Sequence, residues 1–213
     1  MNDAILEAAG RQLAEVGAAA LSVRAVAREV GMASSAIYRY VASRDELLTM
    51  LIIDGYNEVG AAAEAADASV DDRADLAGRF AAISRGVRRW AQENPHRYAL
   101  LYGSPVPGYV APEATILPAT RVALLLGALL VAGPSRARSI KSDGLESGLE
   151  LGLAGEILPG VSEESARRGV LAWVELFGLV SFELFGHLVG SVADADRFFD
   201  RAVDDMVARM GLS

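Results

Sequence analysis

The chain has 213 residues, no cysteine, a hydrophobic fraction of 52% and a formal net charge of -8. That length fits one large helical unit or a small domain joined to a larger one, and the lack of cysteine excludes disulfides, thiolate metal sites and thiol catalysis. An acidic chain is a poor partner for nucleic acid unless its basic charge is gathered where it meets phosphate.

No alternation of apolar and polar residues persists, whereas spacings of three and four recur, so the fold class is all-α. Asn2 or Asp3 caps a first helix with Ile5, Ala9, Leu13 and Val16 on one face, and Gly17 stops it. Ser22 caps a short helix with Val26, Ala27 and Val30 inward and Arg24 and Arg28 outward, ending at Gly31. Ser34 caps another short helix that turns Ile37 and Val41 inward. Ser43 and Glu46 form a capping box that starts a long helix to about Ala66.

After a polar break at Asp67 to Asp72, a helix over about 73–93 carries Leu76, Phe80, Ile83, Val87 and Trp90 on one face. Asn94-Pro95 ends it, and His96 to Tyr102 reads as a short helix. A loop over 103–108 precedes a helix over about 113–132, in which Pro118 is either a kink or the true start. Residues 133–160 read as loop with irregular helix. Ser162 starts a helix to about Val189, and Asp194 starts the last one, to Met210. The apolar run Val122 to Gly133 is too short to span a bilayer, and the run Val170 to Gly190 carries Glu175, Glu183 and His187, so no membrane span is expected. Met1 leads directly into an amphipathic pattern with Asp3 and Glu7, so no signal peptide and a cytoplasmic location are expected.

Between Ser22 and Arg44 four arginines stand against Glu29 alone. Two short helices joined by a glycine-containing turn, with arginines facing out of both, match a helix-turn-helix that lays its second helix in the major groove. Leu21-Ser-Val-Arg-Ala-Val-Ala-Arg-Glu-Val-Gly31, Ser34-Ser-Ala-Ile-Tyr-Arg-Tyr40 and Ser43-Arg-Asp-Glu-Leu-Leu48 together resemble the N-terminal signature of the tetracycline-repressor (TetR) family. The resemblance implies a three-helix DNA-binding domain over 1–48 and a larger helical ligand-sensing and dimerising domain over 49–213. It implies DNA contacts from Ser22, Arg24, Ser34, Ser35, Tyr38, Arg39, Tyr40 and Arg44, with Arg44 holding a phosphate. Hydroxyls bind phosphate oxygens and an arginine can read a guanine edge. Arg39 as a solvated surface arginine and Tyr38 as a core-edge aromatic are the bland alternatives. Ala36 and Tyr40 depart from residues common in the family, so no operator sequence is implied.

Trp173, His187 and Gly190 resemble the Trp, His and Gly pattern of one TetR subgroup. The helix through Trp173 is apolar almost all round and needs more than one partner surface. A second copy would supply one, with Gly178, Ser181 and Gly186 allowing close approach. Phe80, Trp90, Tyr98, Tyr102, Trp173, Phe177, Glu183 and His187 are the candidate effector-binding residues, an apolar set with few polar anchors. Glu183 and His187, four apart, read as a hydrogen-bonded pair rather than a metal site; no metal or other cofactor is expected. No nucleophile elbow, P-loop or dinucleotide-binding glycine pattern is present. The expected function is a homodimeric repressor that leaves a palindromic double-stranded operator when a small apolar or aromatic molecule binds. The alternative is a helical enzyme or ligand-binding protein without DNA binding.

Overall fold

The structure, a computed structural model, describes residues 1–133 and 163–212, and all regular elements among them are helical. The expected irregular stretch, except Gly133, lies outside the described residues. The chain divides into two compact units, Met1–Glu58 with Ala91–Ala119, and Val59–Trp90 with the described residues from Thr120 on.

In the first unit, α1 (Asn2–Val16), α2 (Val23–Glu29), α3 (Ser34–Ile37) and the beginning of α4 (Arg44–Ala68) surround one core. Ile5, Ala8, Ala9, Val26, Ala27, Ile37, Val41, Leu47, Leu48 and Leu51 are buried there. The expected inward positions of α1 hold for Ile5, Ala9 and Leu13 but not for Val16, which is exposed beside the chain's exit at Gly17. Gly31, at φ 70, ends α2. The Met32 amide donates to the Ala27 carbonyl at 2.8 Å and the Gly31 amide to the Arg28 carbonyl at 3.2 Å, the paired bonds that close a helix through a left-handed residue. The α1 cap position is Met1 and that of α3 is Ala33, so Asn2, Asp3 and Ser34 lie inside or at the start of their helices rather than capping them.

The capping box at α4 forms with one change. Ser43 Oγ accepts from the Glu46 amide at 3.1 Å, while the Glu46 carboxylate accepts from the Ala42 amide, one residue earlier than the usual reciprocal bond. The end of α5 (Leu76–Glu93), α6 (Pro95–Tyr102) and the following loop belong to this unit too. Arg97 of α6 donates to Asp54 at 2.7 Å and pairs with Glu58 at 2.8 Å, both on α4. Thr49 Oγ1 donates to the Asp45 carbonyl, which leaves the Tyr109 hydroxyl as donor in their 2.9 Å contact.

In the second unit α5 begins at Leu76 rather than Arg73, because Asp75 is the cap: its Oδ1 accepts from the Gly78 amide at 2.8 Å. Its expected inner face is buried from Leu76 to Trp90. Pro118 falls in the first turn of α7 (Ile116–Ala132), where no amide partner is required, so it neither kinks the helix nor begins it. With the 3-10 turn Glu113–Thr115 the helical stretch reaches 20 residues, long and apolar enough by length and composition to cross a membrane, although the apolar run within it reads as too short in the sequence. Arg121, however, holds Glu64 through two bonds of 2.9 and 2.7 Å at a partly exposed position, which argues for water at its flank. The last two described helices are α8 (Glu163–Leu184) and α9 (Ala195–Met210). Asp194 caps α9 as expected, accepting from the Arg197 amide at 2.9 Å.

Near the end of α4, Asp67 is buried and gathers Arg79 at 2.8 Å and Arg73 at 2.5 Å. Burial by itself would raise its pKa, but the hydrogen bonds and charge of both arginines outweigh burial and hold the carboxyl below its usual value. A depressed carboxyl contributes stability above its unfolded pKa, about 4, and loses it as pH falls toward the folded value. Asp67→Asn should therefore lose about 3 kcal/mol near neutral pH by leaving Arg79 uncompensated. Urea unfolding should show the gap to the parent closing below about pH 4; a gap independent of pH would contradict the ion-pair account.

Candidate nucleic-acid interface

The turn between α2 and α3 places a set of side chains outside the helix-turn-helix core. Arg24 and Arg28, one helical turn apart on α2, are exposed. Ser34 and Ser35 open α3 and are exposed, and Ile37 is the side chain that anchors the helix inward. α3 spans only Ser34–Ile37, and a hydrogen-bonded turn continues it, with the Arg39 amide donating to Ala36 and the Tyr40 amide to Ile37. This places Tyr38 (44% exposed), Arg39 and Tyr40 (39% exposed) in solvent. Tyr38 is thus no core-edge aromatic.

Charge pairing is sparse on this surface, as it is at Arg89 and Arg197 in the second unit. Elsewhere arginines such as Arg73, Arg79, Arg85, Arg88, Arg97, Arg121 and Arg209 are held by carboxylates. Arg24, Arg28 and Arg39 have no carboxylate partner among the described residues. Unpaired guanidiniums beside hydroxyls suit a polyphosphate ligand, and their planar forks can also read base edges. Arg28 stands outside the expected contact set, although its spacing of four from Arg24 is the signal that finds it. Ser22 holds the N-terminal cap position of α2 without making a side-chain cap bond.

Arg44 behaves differently. Its Nη2 donates to the carbonyls of Ala18 at 2.9 Å and Ala19 at 3.2 Å, so the guanidinium is engaged with the 3-10 turn Ala18–Ala20. Farther along the same connection, the Ser22 amide donates to Gln12 Oε1 at 2.6 Å. Neither bond has a local sequence signal, because each joins residues ten or more apart.

The candidate effector residues divide between the units. Tyr98 and Tyr102 lie in the first, where Tyr102 packs on Tyr98 at 5.0 Å and edge-on to Tyr56 at 5.9 Å. Burial pushes the Tyr102 phenol well above its ordinary pKa. Phe80, Trp90, Trp173, Phe177, Glu183 and His187 lie in the second. Phe80, Trp90 and Phe177 are buried core, and Trp173 packs on Phe177 at 5.8 Å. Trp173 Nε1 is buried with no acceptor among the described residues.

Glu183 and His187 are not a pair. α8 ends at Leu184 because Gly186, at φ 79, closes it as Gly31 closes α2, with the His187 amide donating to Phe182 and the Gly186 amide to Glu183. His187 is exposed and lies against Phe182 at 5.1 Å. The Glu183 carboxylate instead takes two bonds from Arg88, at 2.8 and 2.6 Å, and Arg88 also reaches Asp196 at 2.7 Å and covers the Phe199 ring. Those hydrogen bonds, Glu183 first, raise the already high Arg88 pKa. Among the described residues no group of three His, Cys, Asp or Glu side chains is placed to hold a metal ion.

Comparison with known proteins agrees with this surface. The family described as "Bacterial regulatory proteins, tetR family" matches residues 5–51, and "Tetracyclin repressor-like, C-terminal domain" matches residues 80–206. The HTH-type transcriptional regulator Rv1816 of Mycobacterium tuberculosis is 40% identical over 195 residues, covering 85% of this chain and 80% of that protein. HTH-type transcriptional regulator Mb1846 of Mycobacterium bovis matches with the same 40% identity and the same coverage. Among solved structures, the regulatory protein SCO4313 is 30% identical with a TM-score of 0.76, over 96% of this chain and 93% of that one. The TetR family regulator PfmR of Thermus thermophilus, 20% identical, shares the fold at a TM-score of 0.60 over 96% and 97%. The unpaired arginines and hydroxyls around α3 therefore sit in a helix-turn-helix DNA-binding domain, and the chain belongs to the TetR family of transcriptional regulators.

Proposed function

We propose that the protein is a homodimeric repressor that binds a palindromic operator and leaves it when a small apolar or aromatic molecule binds. The observation that carries the DNA-binding part is the set Arg24, Arg28 and Arg39, exposed and without carboxylate partners among the described residues. Ser22, Ser34, Ser35, Tyr38 and Tyr40 supply hydroxyls beside them. The dimer reading is supported by α8, which exposes Val170, Leu171, Val174 and Phe182 along one side. Among the described residues, a Cβ added at Gly178 of the same helix would meet nothing within 4 Å, so its small size is not needed by them but suits close approach of a second copy.

For the effector, Trp173 Nε1 is the polar anchor best supported, a buried donor beside the Phe177 ring, whereas Glu183 is already satisfied by Arg88. A ligand offering a hydrogen-bond acceptor on an apolar body would fit it. Release requires that the ligand prefer the state that cannot hold DNA, and linkage makes the effect reciprocal.

The experiment is selection from random-sequence duplex DNA, followed by titration of small molecules into free protein and into protein saturated with the selected duplex. An inverted repeat should emerge, and an effector should bind the free protein about 5- to 150-fold more tightly than the complex. Equal effector affinities in the two states would rule out release by ligand. A selected site without two-fold symmetry would rule out the paired half-sites.

A further inference from the structure

We propose that Arg44 is a positioning residue that clasps the helix-turn-helix shut, rather than a phosphate ligand. Arg44 is the first residue of α4 and stands just past the recognition segment. The two carbonyls it holds, Ala18 and Ala19, stand just before α2. The guanidinium thus joins the residue that leaves the motif to the turn that leads into it, a separation of 26 and 25 residues closed by one side chain.

Gln12 works on the same turn from α1. It is buried, and its Oε1 accepts the Ser22 amide, the last backbone donor before α2. Gln12 of α1 and Arg44 of α4 therefore hold the connection over 17–22 at its two ends, and with it the direction in which α2 presents Arg24 and Arg28. Gly17 at its head has φ 75 and brings no side chain of its own to the turn. Moving Arg44 to a phosphate would take the guanidinium from the Ala19 carbonyl and leave the Ala18 carbonyl with the Leu21 amide alone, at 3.4 Å. Its charge is also partly answered by Asp45 at 3.6 Å.

The two roles make opposite demands on the side chain. A phosphate contact needs a positive charge, which lysine supplies. The clasp needs the reach of a guanidinium, whose Nη2 makes both bonds and lies one bond farther out than a lysine ammonium. Arg44→Lys should lower affinity for the selected duplex roughly tenfold, as expected for the loss of one charged hydrogen bond from the binding-competent state. Its affinity for unrelated duplex should fall less.

For Arg44→Ala, the slope of log affinity against log salt should stay at the parent value, because no phosphate contact is removed. Parent-like binding by Arg44→Lys overturns the proposal, and so does a slope shallower by about 0.9 in Arg44→Ala, the signature of one lost phosphate contact. Circular dichroism checks that both variants are folded at the assay temperature. A measurement on the unaltered protein needs no variant: the amides of Ala20, Leu21 and Ser22 should exchange hydrogen no faster with the duplex bound than without it. Faster exchange in the complex would mean that Arg44 leaves the turn for the DNA, and would equally overturn the clasp.

Discussion

Val174→Glu should convert a particle of about twice the 22.4 kDa chain mass into one of single mass, and operator binding should fall by roughly a hundredfold or more, the scale of specific over non-specific DNA binding. Val174 is 53% exposed on α8, between Val170 and Leu171 on one side and Gly178 on the other. In a monomer the substitution puts a carboxylate into water and costs little. In a two-fold dimer it puts two carboxylates into one apolar interface, and each unpaired charge taken from water costs several kcal/mol. DNA affinity follows because a monomer can occupy only one half-site. Light scattering beside a mobility shift on the selected duplex reads both. If the mass stays at two chains while the protein is folded, the dimer does not use this face of α8.

Arg39→Ala should cost about 1 to 3 kcal/mol of operator affinity and flatten the base preference at one position of each half-site. Arg39 follows directly on α3, exposed and without a carboxylate partner among the described residues, so no internal bond is lost and stability should hardly change. Arg24→Ala is the control. It too removes an exposed unpaired guanidinium, but from the start of α2, and should weaken binding to all sequences alike. Repeating the duplex selection with each variant distinguishes the two. An unchanged selected site for Arg39→Ala would remove Arg39 from base reading and leave Tyr38 and the serines to do it.

Features carried by short-range chemistry are the ones visible in the sequence. The capping box at Ser43 and Glu46, the glycine stop at Gly31, the inner face of α5 and the cap at Asp194 all rest on residues close to one another along the chain. Gly186 carries the same kind of signal, but reading it as a point of close helix approach extends α8 too far, to Val189 instead of Leu184. The pairing of Glu183 with His187 fails for that reason. What the sequence does not display is the choice of partner across the fold. Arg88 lies 95 positions from Glu183, and Arg44 is 26 from Ala18; many arginines and carboxylates could have met, and only packing selects among them. The surface of the DNA-binding domain is legible because exposed arginines need no partner to be placed.

Tying up arginines with carboxylates through much of the chain has a kinetic consequence. With a net charge of -8, the protein as a whole is repelled by DNA, while the patch around Arg24, Arg28 and Arg39 is drawn toward it. Encounters that present acidic surface are disfavoured within a Debye length, about 8 Å in physiological salt. Productive encounters are thereby pre-oriented. Non-specific affinity comes almost wholly from neutralised phosphates, so on the proposed DNA-binding surface these arginines should set it. For the dimer proposed above, the patch of each protomer would be steered to its own half-site.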